Sequence, residues 1–195
     1  MNTKVAITIS LIGILLIASL FAVGKGLKPL NSPSDATQIE FSQSNSPPTL
    51  ATTTPAGYVS YTSTKYQYSL SYPPYLHIKE YEESGGAHTV IFQDPDTNAG
   101  FQIYVVPFSG THISKARFLL DESSGVMINP TDIMIDGTRA TMFFGKNSIM
   151  GETREVWFIH GGYLYEVTTY KELDSWLAGI LGTFHFLATS ATTPI

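Results

Sequence analysis

The sequence predicts an α+β protein: an antiparallel sheet of about seven strands, flanked by helices on both faces and preceded by one transmembrane helix. Three observations predict it. Residues 5–23 carry no charge. From residue 58 onward, short runs of alternating apolar and polar residues are separated by turn residues. The last two of these runs are apolar on both faces, and a sheet of that kind needs a cover on each side.

Composition excludes several classes of protein. The chain of 195 residues is long enough for one domain with a substantial core. A net charge of -5 disfavours nucleic-acid binding, because few cationic groups are available to displace counterions from phosphates. The absence of Cys excludes disulfides, thiolate metal sites and cysteine nucleophiles.

The N-terminal part is predicted to anchor the protein in a membrane. Nineteen uncharged residues at 5–23 would form a helix about 28 Å long, which matches the hydrocarbon core of a bilayer. We therefore assign residues 1–30 to a signal anchor, although cleavage of this segment as a signal peptide is the alternative. Residues 31–57 are rich in Ser, Thr and Pro and contain no Lys or Arg, so they are predicted to form a flexible stalk.

The folded domain is predicted to span residues 58–188, followed by a disordered tail at 189–195. Its strand pattern begins with the alternating tyrosines of residues 66–72. Gly85-Gly86, Asp136-Gly137 and Gly161-Gly162 each predict a hairpin. The remaining strands are expected at 76–83, 88–93, 101–108, 132–135, 138–144, 153–160 and 163–170.

Two segments break the alternation and predict helices. Residues 113–122 contain helix formers without Gly or Pro, and Thr111 is a candidate cap. Residues 171–181 place Leu173, Trp176, Leu177 and Ile180 at helical spacing, which gives one apolar stripe. An apolar stripe of this kind needs a sheet to pack against.

The order of several short motifs along the domain resembles the PsbP-like family, the extrinsic photosystem II proteins and their bacterial relatives. These motifs are YSLSYP at 68–73, VIFQDP at 90–95, IYVVP at 103–107, IDG at 135–137, GYLY at 162–165, Trp176 and GTF at 182–184. The resemblance implies a sandwich of sheet and helices without enzymatic activity, which serves as an accessory module beside a membrane complex. The anchor, the stalk and the Pro73-Pro74-Tyr75 run depart from the photosynthetic members, so a photosystem role does not follow.

The predicted function is accordingly a non-catalytic interaction module, held on the extracytoplasmic side of the cell membrane by a single span. Its partners would be the membrane lipid, through the N-terminal helix, and an unidentified protein. A cluster of tyrosines supports the second expectation, because such rings are enriched at interfaces. Tyr58, Tyr61 and Tyr75 are the candidate contact residues, with packing in the core as the alternative.

Two other functions remain open from the residues alone. Asp94, Asp96 and Asn98 have the alternate spacing of oxygen ligands at the start of a calcium loop, although position twelve is Val105 rather than Glu. A cation or glycan sensor is therefore one alternative, with an ordinary strand connection as the simpler explanation. Glu155 and Glu166 lie diagonally on one face of the last hairpin, so a hydrolase with paired glutamates is the other. No other cofactor is expected.

Overall fold

The computed structural model describes residue 47 and residues 54–188. Residues 54–188 form ten strands, two α-helices and two short 3-10 turns, at Ser84–Gly86 and Lys171–Leu173. The strands are β1 (Val59–Ser63), β2 (Tyr68–Tyr72), β3 (His77–Glu82), β4 (His88–Gln93), β5 (Gly100–Pro107), β6 (Ile128–Ile135), β7 (Thr138–Asn147), β8 (Gly151–His160), β9 (Tyr163–Tyr170) and β10 (His185–Phe186). The helices are α1 (Lys115–Asp121) and α2 (Asp174–Leu181).

Seven strands form one antiparallel sheet in the order β3-β4-β5-β9-β8-β7-β6. The turn between β6 and β7 places Asp136 at φ 44° and Gly137 at φ 76°, which suits the Asp-Gly pair that predicted this hairpin. Gly161 and Gly162, which join β8 to β9, also have positive φ. The chain therefore reverses where the sequence predicted it to reverse.

The other three strands form a second antiparallel sheet, in the order β1-β2-β10. Together with α2 it packs on one face of the large sheet, here called the inner face, and the core lies between them. The Tyr68 ring of the small sheet stacks on Phe184 at 5.1 Å. From the large sheet, the Tyr165 hydroxyl donates to the Tyr66 carbonyl oxygen at 2.7 Å. Aromatic packing and this buried hydrogen bond thus join the two sheets.

The opposite, outer face of the large sheet carries α1. The Phe118 ring lies 5.8 Å from Phe143 and 5.5 Å from Trp157, centroid to centroid. Ser114 caps the helix, because its Oγ accepts a hydrogen bond from the Arg117 N–H at 3.1 Å. Helix α1 has seven residues, so it covers only part of this face.

The predicted fold class, a sheet flanked by helices on both faces, is wrong. The inner face is covered mainly by the three-stranded sheet, and the two helices are short. The prediction failed because alternation in residues 66–72 shows that a strand has one buried side, without showing which sheet contains it. Strands β1 and β10, which complete the second sheet around β2, were not predicted.

The proposed membrane helix, most of the stalk and the tail lie outside the described residues. Within residues 54–188, neither helix has the length and apolar character needed to cross a bilayer.

Candidate functional site

The outer face contains an open groove of about 560 Å³ beside α1. Apolar side chains, Phe118, Phe143, Trp157 and Ile159 among them, form much of its lining. The lining also includes the exposed apolar side chain of Met127. Its polar residues are Thr111, His112, Asp132, Thr138, Arg139 and Thr141. An apolar surface with a few polar groups is the usual composition of a binding site.

Three aromatic rings give the groove a fixed shape. The Phe143 and Trp157 rings are 5.5 Å apart, and Phe118 of α1 packs on both. An ion pair joins Arg139 Nη1 to Asp132 Oδ2 at 3.4 Å, and the two side chains remain 68% and 46% exposed. The groove therefore combines a rigid apolar surface with accessible charges. Sequence reasoning missed it, because the contact between α1 and the hairpin is formed only in the tertiary structure.

The two glutamates of the alternative hydrolase hypothesis lie in the interior, outside the lining of the groove. Glu155 faces Thr168 across the β8-β9 pair, and Trp157 faces Glu166, so the two glutamates are diagonal neighbours as predicted. Both side chains are less than a tenth exposed. Neither residue lines the groove or the smaller cavity described below.

The Glu155 carboxylate accepts two hydrogen bonds from neighbouring side chains. Its Oε2 accepts from the Thr168 hydroxyl at 2.7 Å and from the Trp157 indole N–H at 3.3 Å. Burial raises the pKa of Glu155 to about 7, because removal from water disfavours the charged form. These contacts stabilise the packing between strands β8 and β9.

Glu166 lies under α1, where it meets two charged residues of that helix. Arg117 forms a bidentate ion pair with Asp121, and Arg117 Nη2 is 3.8 Å from Glu166 Oε1. Burial and the neighbouring Asp121 raise the pKa of Glu166 well above its ordinary range, while Arg117 opposes that shift. Two other arginines on β7 and β8 pair elsewhere: Arg154 binds Asp174 and Arg139 binds Asp132.

The candidate calcium residues Asp94, Asp96 and Asn98 form the connection between β4 and β5. Asp94 Oδ1 accepts from the Asp96 N–H at 2.9 Å, and Oδ2 accepts from the Thr97 hydroxyl at 2.8 Å. These hydrogen bonds hold the pKa of Asp94 below its usual value, and the bond from the Asp96 backbone N–H contributes most. Within the described residues, no cluster of three or more His, Asp or Glu could hold a metal ion. Calcium binding by this turn stays a prediction.

The three candidate tyrosines occupy different environments. Tyr61 belongs to the core and is 9% exposed, while Tyr58 is half-buried against it. Tyr75 is 56% exposed, on the connection between β2 and β3. Of the three tyrosines, Tyr75 is therefore the most accessible to a partner.

Tyr75 and Asp94, which were predicted as parts of separate sites, line one cavity of about 190 Å³. Its other lining residues are Leu76, Ala99, Leu173 and Trp176. The strand register explains why Tyr75 and Asp94 are close. His77 at the start of β3 pairs with Gln93 at the end of β4, so the loop before β3 lies beside the loop after β4. This proximity could have been predicted from the sequence by assigning a register to the hairpin of residues 76–93.

No family model matches the chain, and no curated protein matches it. Among solved structures, the solution structure of cyanobacterial PsbP (CyanoP) from Synechocystis sp. PCC 6803 is similar to this chain. The two structures have a TM-score of 0.49 and a sequence identity of 16%. The aligned part covers 68% of this chain and 94% of that chain. A similarity of this size assigns no function, partner or site residue to the chain.

Proposed function

We propose that this protein is a non-catalytic interaction module that binds a segment of a partner protein in the groove beside α1. The observation that carries the proposal is the lining of the groove, in which packed aromatic rings adjoin exposed charged side chains. Rigid aromatic residues contribute much of the energy at protein interfaces, and charged residues at the edge select the partner.

The chemistry of the groove defines the segment that it would bind. Phe118, Trp157 and Ile159 favour an apolar side chain as the anchor. The Arg139 guanidinium carries several N–H donors, so its pairing with Asp132 leaves others for a carboxylate of the partner. The occupant is therefore an extended segment with an apolar residue next to an acidic one.

A hydrolytic function receives little support from the glutamate pair. Catalytic carboxyl groups must reach both a substrate and water. Glu155 and Glu166 are packed among Thr168, Trp157 and Arg117, and burial is the largest cause of their raised pKa values. Structural packing explains these two side chains without a reaction.

The proposed location follows from the sequence. Residues 5–23 would span the bilayer once. The Ser/Thr/Pro-rich stalk at 31–57, which contains no Lys or Arg, is typical of a domain held on the extracytoplasmic side. An accessory role at a membrane is also what the sequence resemblance to the PsbP-like family implies.

Site-specific cross-linking in native membranes tests the groove. A photoreactive phenylalanine analogue replaces Met127, which is 41% exposed in the groove, in the full-length chain. The matched control carries the same analogue at Ile149, which is 44% exposed and outside the groove. We expect one defined adduct from position 127 and none of the same mass from position 149.

Charge reversal adds a second arm to this experiment. Arg139→Glu should abolish the adduct at position 127 with little change in the unfolding temperature, because Arg139 and its ion-pair partner Asp132 are both exposed to solvent. The same adduct from both positions, or an adduct that survives Arg139→Glu, would show that the groove is not the binding surface.

A further inference from the structure

We propose that the cavity lined by Tyr75, Trp176 and Asp94, here called the amine pocket, binds the side chain of a lysine from a partner polypeptide. This site is separate from the groove beside α1, since the two share no lining residue. The proposal rests on the size of the pocket, its aromatic lining and its carboxylate.

The size of the amine pocket restricts its occupant. At about 190 Å³ it is smaller than the ~300 Å³ at which pockets for drug-sized ligands begin. A single aliphatic side chain fits this scale, and the apolar Leu76, Ala99 and Leu173 suit its methylene groups. An oligosaccharide would need more hydrogen-bonding side chains than Tyr75 and Asp94 provide.

The aromatic rings favour a cation at the end of that side chain. Trp and Tyr faces attract ammonium groups through their quadrupoles, and Trp is the most effective of the aromatic residues. Contact with Phe101 positions the Trp176 ring, with centroids 5.8 Å apart. Tyr75 is 56% exposed, so its side of the pocket is accessible from solvent.

Asp94 supplies the complementary charge. Hydrogen bonds from Asp96 and Thr97 fix the orientation of its carboxylate and favour the ionised form. Each carboxylate oxygen can accept more than one hydrogen bond, so Asp94 retains acceptor capacity for an ammonium group. A calcium ion would require six to eight oxygen ligands, which an apolar pocket does not provide.

NMR of the full-length protein in detergent micelles can test this binding directly. The two indole N–H signals report on Trp176 in the pocket and on Trp157, which donates to Glu155 in the interior. The probe is Nα-acetyl-lysine methylamide, and its Nε-acetylated derivative is the neutral control. We expect the charged probe to shift the Trp176 signal saturably, with the Trp157 signal unchanged and little effect from the neutral derivative.

Two matched variants test whether the negative charge of Asp94 contributes to binding. Asp94→Asn keeps a side-chain oxygen for the turn but removes the charge, and should weaken binding about tenfold. Asp96→Asn makes the same change in the same loop outside the pocket lining, and should leave binding unchanged. Equal shifts from both probes, unchanged affinity in Asp94→Asn, or displacement of the charged probe by calcium would each overturn the proposal. Arg139→Glu, which tests the groove, should leave the amine pocket intact.

Discussion

Among single residues, Glu155 has the clearest energetic consequence. Burial raises its pKa from 4.5 to about 7, so the folded protein keeps a proton that the unfolded chain releases at lower pH. The free energy of unfolding should therefore fall as the pH rises from about 4.5 to 7, by up to roughly 3 kcal/mol from this residue. We predict that Glu155→Gln removes this loss: the variant should match the wild type near pH 4.5 and exceed it in stability at pH 8.

Urea unfolding at pH 4.5 and pH 8 measures this difference. Glu152→Gln is the matched control, because Glu152 lies on the same strand and forms an exposed ion pair with Lys171. Glu166 should add to the pH dependence that remains in Glu155→Gln, since burial raises its pKa as well. A stabilisation by Glu155→Gln that is equal at both pH values would contradict the buried, protonated glutamate.

The burial of these glutamates could not be predicted from the sequence, although their diagonal placement could. Alternation in β8 and β9 puts Glu155 and Glu166 on one face, and the register confirms it. Carboxylates on a sheet face are usually solvated. The apolar Trp157, Ile159 and Leu164 on the same face predict a covering element, but they do not show that the cover extends over the glutamates. That cover comes from α1, more than thirty residues earlier in the chain.

At the scale of elements, α1 depends on contacts with the sheet. An isolated helix shorter than about 12–15 residues is marginal in water, and α1 has seven. Phe118 supplies ring contacts to Phe143 and Trp157, and Arg117 adds charge contacts to Asp121 and Glu166. We predict that Phe118→Ala lowers the free energy of unfolding by about 2 kcal/mol, less than a fully buried Phe, because its ring is half-buried.

Hydrogen exchange can show whether the loss is local. In Phe118→Ala, the Phe118 and Glu122 amides should lose protection, because they donate to Ser114 and Phe118 within α1. Amides of β8 and β9 should keep theirs. Leu119→Ala, at a neighbouring residue that is 46% exposed, should change neither set. Uniform loss of protection across the sheet in Phe118→Ala would mean that α1 is part of the global unfolding unit.

Strands and turns were more predictable than the way they combine. The hairpin at Asp136-Gly137 follows from local chemistry, since both residues adopt positive φ. The second sheet does not, because β10 has two residues and depends on pairing with β2 far away in the sequence. The same limit applies to the candidate tyrosines, because the sequence did not show that Tyr61 lies in the core whereas Tyr75 faces solvent.

At the scale of the whole molecule, the core formed by the described residues lies in one continuous stretch of the chain. Every residue of the core cluster lies between Tyr61 and Phe184, and both sheets and α2 contribute to it. We therefore predict that this domain folds without residues 1–53. This separation allows the predicted anchor to be tested independently of the fold.

We predict that the full-length chain remains with membranes after a carbonate wash, whereas a chain of residues 54–195 is released with the same unfolding temperature. The physical reason is the 19-residue uncharged run at 5–23, long enough to span the hydrocarbon core. Leu15→Arg should weaken membrane retention, because an arginine at the centre of a span costs about 3 kcal/mol, whereas Leu15→Ala should retain it. Release of the full-length chain by carbonate would refute the anchor. A lower unfolding temperature for residues 54–195 would instead show that the first 53 residues stabilise the domain.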